Sequence, residues 1–179
     1  MSTSASRRPR MSVVALVALV LVPTLWAPRA AAELGDGHRA CDYCRMLVEH
    51  DDFGGEVELR SGQVKLYDAI ECMAAAVLTD SVAQRDIRAI RVIDHDAPHA
   101  RLGAGQAVFV HCTAIESPMG QGFLAVRTRA RARATCAPPH GTVLDWRGVL
   151  ARVNRAWFVG KLSVDAHARA GLQPRAVRR

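Results

Sequence analysis

Sulfur-containing side chains are concentrated in one short segment, Cys41-Asp-Tyr-Cys44-Arg-Met46. Cysteines three residues apart can converge in a turn, and Cys44 and Met46 share a face wherever the chain is extended. Thiolate and thioether sulfurs form a soft ligand set, which selects Cu(I) over hard cations and differs from the sets typical of structural zinc. The segment therefore indicates a soft-metal site with three sulfur atoms available locally.

The N-terminus has the parts of a secretory signal. Three arginines within residues 7–10 precede an apolar run over residues 11–26, and Ala30-Ala31-Ala32 follows at the spacing of a cleavage site. The apolar run is shorter than the roughly 20 residues that a membrane-spanning helix needs. We therefore predict a signal peptide over residues 1–32 and export of the mature chain.

Cleavage after Ala32 leaves 147 residues, enough for one ordinary domain or two small units that share a core. Four arginines leave with the signal and no acidic residue does, so the net charge falls from +7 to +3. Four arginines also lie between Arg127 and Arg133, but export removes nucleic acid as a ligand and helical spacing scatters these side chains round the axis. We expect a solvated helix surface there and no nucleic-acid partner.

In an oxidising compartment the cysteine pair has alternatives to metal binding. Cys41 and Cys44 could form a simple disulfide. Thioredoxin-like chemistry is less favoured, because only eight mature residues precede Cys41, too few for the strand that opens such a fold. Arg45 follows Cys44 where haem attachment requires a histidine. A zinc ribbon needs a second cysteine pair, and the other cysteines of this chain are single.

Apolar patterns predict an α+β fold with two tandem ββαβ units followed by a C-terminal helix. A flexible leader over residues 33–40 precedes the first unit, 41–96, which carries the C-x-x-C-x-M motif. The second unit, 97–160, carries a Pro-Met-Gly loop and the C-terminal helix, and residues 161–179 form a basic tail that we expect to be disordered. Strands are predicted over residues 46–48, 57–59 or 64–66, 87–93, 107–111, 123–126 and 142–144, and helices over 68–79, 128–136 and 146–159.

The remaining sulfur atoms fit structural roles when each is taken alone. Cys72 lies in an Ala-rich helix, for which Asp68 is the predicted N-cap and Glu71 completes a capping box. We expect Cys72 in the core, and Cys112 and Cys136 either packed as small hydrophobes or joined in a disulfide. Met119, in Ser117-Pro-Met-Gly120, would be an ordinary surface methionine.

A set of motifs between Cys41 and Leu150 resembles the NosL family in order and spacing. Any one of these motifs is weak, whereas the ordered set is specific. The motifs are Cys41-Asp-Tyr-Cys44-Arg-Met46-Leu-Val48, Lys65-Leu-Tyr-Asp68-Ala-Ile70-Glu-Cys72-Met73, Ile90-Arg-Val-Ile-Asp94, Ala107-Val-Phe-Val110, Ser117-Pro-Met-Gly120 and Gly122-Phe-Leu-Ala125.

The resemblance implies two ββαβ units and a periplasmic metallochaperone, not an enzyme, that delivers Cu(I) to nitrous oxide reductase in denitrification. In such proteins a cysteine and a methionine of the first motif join the methionine of the Pro-Met-Gly loop at copper. These positions correspond to Cys44, Met46 and Met119, with Cys41 as a fourth candidate ligand. The expected protein is a monomer whose partners are the reductase and its membrane maturation complex, and a possible peripheral contact with the membrane stays open.

Two departures from the family pattern matter. Family members usually carry an acylated lipobox cysteine, but Gly37-His-Arg-Ala40 before Cys41 is not a lipobox, which favours a soluble form over a membrane-anchored one. The family also tends to have glycine where Arg45 stands. Two other functions remain open: a general periplasmic scavenger of copper or heavy metals and, less favoured, a C-x-x-C thiol-disulfide oxidoreductase.

Overall fold

Short apolar strands form two antiparallel sheets in the structure, a computed structural model that describes residues 39–49, 52–169 and 172. The first sheet has four strands, in which each strand is antiparallel to its neighbours. Apolar residues of its central strands, such as Val57, Ile90 and Val92, are buried. These strands are β1 (Gly55–Leu59), β2 (Val64–Tyr67), β3 (Ile87–Asp94) and β4 (Ala97–Gly103), in the order β2-β1-β3-β4.

The second sheet contains β5 (Val108–Cys112), β6 (Phe123–Val126) and β7 (Gly141–Leu144), in the order β6-β5-β7. Helix α2 (Arg129–Thr135) connects β6 to β7 and begins at Thr128, whose side chain accepts a hydrogen bond from the Arg131 N–H. A disulfide joins Cys112, at the end of β5, to Cys136, just after α2. Of the two arrangements expected for this cysteine pair, the structure shows the disulfide.

Helix α1 (Ile70–Leu78) lies between the two halves of the protein. All nine of its residues are buried, and it packs against β1 and β2 of the first sheet, β6 of the second, and helix α3 (Trp146–Phe158). Small side chains at Ala74, Ala75 and Ala76 let these neighbours approach closely. Because α1 is enclosed, the residues in its first turn are in reach of loops from both halves.

The predicted α+β class is confirmed, as a mixed fold with two antiparallel sheets. The exact tandem of ββαβ units is not reproduced, because β4 extends the first sheet across the predicted boundary between residues 96 and 97. Pro98, His99 and Arg101 interrupt the apolar alternation of β4, so its pattern alone did not indicate a strand. A 3-10 turn (Gln84–Asp86) also precedes β3.

The four arginines of the predicted solvated surface are exposed, and two of them, Arg127 and Arg131, also connect the two sheets. Arg127 Nε lies 2.7 Å from Asp94 Oδ2, and Asp94 is almost fully buried. Arg131 donates two hydrogen bonds to Asp96, at 2.8 and 2.6 Å. The turn between β3 and β4 is therefore tied to the start of α2, which gives these cations structural partners within the chain.

The structure also bears on the predicted basic tail. Residues 164–167 form a short helix, α4 (Val164–His167). Asn154 of α3 holds the segment before it by donating to the Leu162 carbonyl at 2.7 Å and accepting from the Leu162 N–H at 3.1 Å. Residues 161–169 thus contain a short helix and contacts with α3, while residues 170–171 and 173–179 lie outside the described residues.

The predicted signal peptide and most of the predicted leader also lie outside the described residues. At the leader's end, the Arg39 carbonyl accepts a hydrogen bond from the Val48 N–H at 2.8 Å. None of the helices in the described part of the chain combines the length and apolarity needed to cross a bilayer.

Gly54 lies beside the start of α1, where two backbone segments approach each other closely. We therefore expect the stability of the protein to be sensitive to substitution at Gly54. A Cβ atom there would lie 2.1 Å from the Tyr67 carbonyl oxygen, so Gly54→Ala must displace the backbone. We expect it to lower the free energy of unfolding by about 3 kcal/mol or more, measured by urea denaturation.

Gly120→Ala is the matched control for this prediction. A Cβ atom at position 120 would have no described atom within 4 Å. The left-handed φ of 73° is then the only feature of the described structure that disfavours alanine there. The expected loss is about 1 kcal/mol. Equal losses in the two variants would contradict the close approach at Gly54.

Candidate metal centre

The C-x-x-C-x-M segment forms a closed turn. The Cys41 N–H donates to the Met46 carbonyl at 2.8 Å, and the Arg45 N–H donates to the Cys41 carbonyl at 3.1 Å. Arg45 has a φ of 68°, in the left-handed region that glycine adopts without strain. The predicted strand over residues 46–48 is wrong, because the turn leaves only a single bridge between Leu47 and Ala40.

Asp42 fastens this turn to the end of β2. Its N–H donates to the Leu66 carbonyl at 2.8 Å, and its carboxylate accepts from the Leu66 N–H at 2.8 Å and from Lys65 Nζ at 3.0 Å. The neighbouring Tyr43 ring stacks on Trp157 of α3, with 6.4 Å between centroids and 14° between planes. The turn is therefore held from two sides, by β2 and by α3.

Four potential ligand atoms converge where the turn meets the start of α1. The Sγ atoms of Cys41, Cys44 and Cys72 and a carboxylate oxygen of Asp68 all lie within 4.8 Å of one another. All three cysteines are free thiols. Ligand atoms around a tetrahedral ion with metal–sulfur bonds of about 2.3 Å lie roughly 3.8 Å apart. We call these four residues the thiol cluster, and its spacing suits one metal ion.

Asp68 and Cys72 are the members of the cluster that the sequence analysis missed. The predicted N-cap at Asp68 is wrong: Ala69 occupies the N-cap position, and no side chain caps the helix there. The Asp68 Oδ2 atom instead lies 3.5 Å from Cys44 Sγ, from which it accepts a hydrogen bond. The spacing of Asp68 and Cys72, four residues apart at the start of a helix, was the available signal that both face the same neighbour.

The other oxygen of Asp68, Oδ1, is buried and has no hydrogen-bond partner in the described part of the chain. Leaving a buried carboxylate oxygen unpaired is unfavourable, so buried polar atoms nearly always have a partner. A metal cation at the thiol cluster would compensate this oxygen directly. The cluster thus combines soft sulfur ligands with an uncompensated oxygen at the same point.

Cys41 is the thiol that ionises most easily. A hydrogen bond from the Cys72 thiol stabilises its thiolate and outweighs the opposing effect of burial, and backbone N–H groups of Asp68, Cys44 and Tyr43 add to this effect. Together they lower the pKa of Cys41 to about 7. The buried Cys41 thiol is therefore about half ionised at neutral pH, which makes it the most readily available anionic sulfur of the cluster.

The other two thiols hold their protons more strongly. Burial is the main cause that raises the pKa of Cys44 to about 11, and the neighbouring Cys41 and Asp68 add to it. The pKa of Cys72 is also raised, chiefly because its proton is donated to Cys41 and secondarily because the thiol is buried. Binding a metal to either of these sulfurs must displace a proton.

A buried carboxylate holds the Pro-Met-Gly loop next to the cluster. Glu71, which precedes Cys72, accepts hydrogen bonds from the Ser117 hydroxyl at 2.7 Å and from the Gln121 N–H at 3.2 Å. The Ser117 oxygen in turn accepts from the Gly122 N–H at 2.9 Å. Both ends of the loop that contains Met119 are thus tied to the first turn of α1.

The four predicted ligands lie in different surroundings. Cys41 and Cys44 belong to the thiol cluster. Met46 is 52% exposed, and Met119 is half-buried and packs against the main core. The assignment of Met46 and Met119 as ligands stays a prediction. Cys72 is buried in the core as expected, and it is also part of the cluster.

The fold and the site define a small α+β protein with a largely buried cluster of thiols and a carboxylate that could hold a metal ion. A sequence profile of the NosL family matches residues 33–153, which is more than half of the chain, and the chain belongs to that family. Among solved structures, it is similar to the crystal structure of the copper chaperone NosL from Shewanella denitrificans, with a TM-score of 0.55 and 19% sequence identity. The match covers 66% of this chain and 95% of that chain, and at this identity it shows the fold alone. No curated protein matches the chain by sequence.

The different environments of the thiols predict an ordered titration of the metal-free, reduced protein. Thiolate absorbance in the ultraviolet should rise with a midpoint near the Cys41 pKa of about 7, and the Cys44 step should follow only towards a pKa of about 11. Cys41→Ser should remove the first step, because it removes the stabilised thiolate. Cys44→Ser should retain it. A first step that survives in Cys41→Ser would contradict this assignment.

Proposed function

We propose that this chain is an exported, non-enzymatic Cu(I) chaperone that supplies copper for the assembly of nitrous oxide reductase. The observation that carries the proposal is the thiol cluster, three free cysteines within 4.8 Å of one another in a member of the NosL family. Thiolates are the preferred ligands of Cu(I). The structurally similar protein from Shewanella denitrificans is named a copper chaperone, which agrees with this assignment.

The accessibility of the sulfur atoms suits a protein that both holds and releases copper. Cys41 and Cys72 are fully buried, Cys44 is half-buried, and Met46 is more than half exposed. Copper held on Cys44, with thioether sulfur from Met46 and Met119, would be reachable by an incoming ligand. Cys41 would complete the site from the buried side as an anionic fourth ligand.

The same arrangement argues against a thiol-disulfide oxidoreductase. In such an enzyme the attacking thiol combines a low pKa with access to the substrate. Here the cysteine with the lowered pKa, Cys41, is fully buried, while the more accessible Cys44 has a raised pKa. The two properties are separated between the two cysteines, so disulfide exchange is the weaker proposal.

The Asp68 carboxylate favours a second candidate, a zinc site. Three cysteines and one carboxylate form a tetrahedral set that Zn²⁺ accepts. The sequence analysis set zinc aside because Cys72 is single, but the structure brings Cys72 to Cys41 and Cys44. If the chain binds zinc, it should retain Zn²⁺ against a chelator, and Asp68→Asn should weaken that retention. Competition by Cu(I) that expels all the zinc would favour the copper proposal.

The copper proposal predicts a graded response to the loss of single ligands. The reduced protein should bind one Cu(I), and Cys44→Ser should weaken binding by more than about 100-fold, because it removes an anionic ligand. Met119→Leu keeps the approximate volume and should weaken binding by about 10-fold without loss of the fold. Competition with a Cu(I) chelator measures the affinities, and circular dichroism checks folding.

Met73→Leu is the matched control, because Met73 is a fully buried methionine that we do not propose as a ligand. It should leave the Cu(I) affinity unchanged. Cys72→Ser tests whether Cys72 is also a copper ligand. A loss of Cu(I) affinity similar to that in Cys44→Ser would show that it is. Wild-type affinity in both Cys44→Ser and Met119→Leu would place copper elsewhere in the protein.

The client and the compartment are parts of the proposal that need an experiment in the native host. We propose that the chain acts in the periplasm as a monomer, with the reductase and its membrane maturation complex as partners. A general copper scavenger would bind the metal at the same site but would have no dedicated client. Loss of the gene should therefore leave nitrous oxide reductase deficient in copper, which metal analysis of the purified reductase measures.

Two complementing genes sharpen this prediction. The full chain should restore copper to the reductase, whereas a chain that lacks residues 1–32 should not, because it stays where it is made. Cys44→Ser in the full chain should also fail. A reductase with its full copper content in the deletion strain would favour scavenging over delivery.

A further inference from the structure

A polar cleft lies outside the thiol cluster, between β5, the Pro-Met-Gly loop and α3. It has a volume of about 340 Å³ and is lined by His111, Gln121, Arg152, Arg155 and Ala156. His111 is nearly buried, Arg152 and Gln121 are half-buried, and Arg155 is exposed. Burial and the neighbouring Arg152 lower the pKa of His111, so the cations of the cleft are the half-buried Arg152 and the exposed Arg155.

The two arginines of this cleft lack a counter-ion within the described part of the chain. Arg152 and Arg155 are three residues apart on α3, a spacing that places both side chains on one face and makes them repel each other. Several other arginines of the fold are paired: Arg91 with Glu56 and Glu58, Arg127 with Asp94, Arg131 with Asp96, and Arg147 with Asp165. Exposed arginines such as Arg129 and Arg133 also have no ion pair in the described part of the chain, but Arg152 differs from them because it is half-buried. The charge of the cleft is therefore available to an external anion.

The cleft lies next to the Pro-Met-Gly loop, which carries the proposed copper ligand Met119. Gln121 lies two residues after Met119, and its N–H is fixed by Glu71. A molecule held by the arginines would consequently be positioned next to the loop that carries Met119, one of the proposed copper ligands.

We propose that this cleft docks a carboxylate-bearing segment of the protein that exchanges copper with this chain. The proposal rests on the copper-chaperone function proposed above. Guanidinium groups pair with carboxylates through two parallel hydrogen bonds, and two such groups at different depths suit an extended acidic segment.

The probes for this proposal are two synthetic peptides of equal length, one with four glutamates and the other with glutamines at the same positions. They are titrated by calorimetry into the reduced, metal-free exported chain. The glutamate peptide should bind at least about 10-fold more tightly, and added salt should weaken it. The double variant Arg152→Gln/Arg155→Gln should lose about 10-fold in affinity for the glutamate peptide.

Arg133→Gln is the matched control, because Arg133 is an exposed helical arginine on α2, outside the cleft. It should bind the glutamate peptide as the unmodified chain does. In Arg152→Glu/Arg155→Glu, a peptide with four lysines should replace the glutamate peptide as the better ligand. This charge exchange keeps the proposal testable even if the glutamine variant is less stable.

Two results would overturn the proposal: equal binding of the glutamate and glutamine peptides, or complete displacement of the glutamate peptide by an equal concentration of inorganic phosphate. The second result would make the cleft a site for small anions. Cu(I) affinity is measured separately on the same variants and should not change. A chain that binds the acidic peptide but not copper would refute the copper function alone, and one that binds copper but not the peptide would refute the docking site alone.

Discussion

The buried carboxylate of Glu71 is the constraint on which the proposed site depends most. It is fully buried, so it would be strongly unfavourable in the core without partners. The Ser117 hydroxyl and the Gln121 N–H supply partners for its Oε1 atom from the Pro-Met-Gly loop, while Oε2 has no hydrogen-bond partner in the described part of the chain. Burial still raises the pKa of Glu71, which shows that these hydrogen bonds only partly offset the loss of water. If the loop moved away, the carboxylate would lose both donors, so the loop and α1 stay together.

The first turn of α1 consequently positions ligand candidates from both halves of the protein. Asp68 and Cys72 are on the side of the C-x-x-C turn, and Glu71 is on the side of the Pro-Met-Gly loop. The turn reaches its place through the exchange of hydrogen bonds between Asp42 and Leu66, at the end of the strand that leads into α1. A few hydrogen bonds around the start of α1 therefore determine how the C-x-x-C turn and the Pro-Met-Gly loop, which are far apart in sequence, are placed relative to each other.

Much of this architecture could be predicted from sequence, because the apolar periodicity of β3, β5, β6 and α3 is regular. The thiol cluster could be predicted only in part. Cys41 and Cys44 stand out by their spacing, but Cys72 in an Ala-rich helix has the appearance of a core residue. Asp68 and Glu71 match the spacing of a capping box, yet their carboxylates accept from Cys44, Ser117 and Gln121 and do not cap the helix. The capping-box spacing therefore indicated that a helix begins near these residues, but it assigned their carboxylates the wrong hydrogen-bond donors. Contacts with residues far away in sequence determine which donors the two carboxylates meet.

The gradient of exposure across the sulfur atoms connects the proposed copper site with the proposed docking cleft. Copper on buried thiolates alone would be held firmly but could not meet an incoming ligand, whereas copper on exposed thioethers alone would be lost to water. A site that runs from the buried Cys41 through the half-buried Cys44 to the exposed Met46 allows ligand exchange to begin at one end only. A partner must then approach from the side of the C-x-x-C turn and the Pro-Met-Gly loop. Unpaired arginines next to that loop, at Arg152 and Arg155 in the described part of the chain, would favour partners that present carboxylates there, so that charge selects the partner and sulfur transfers the metal.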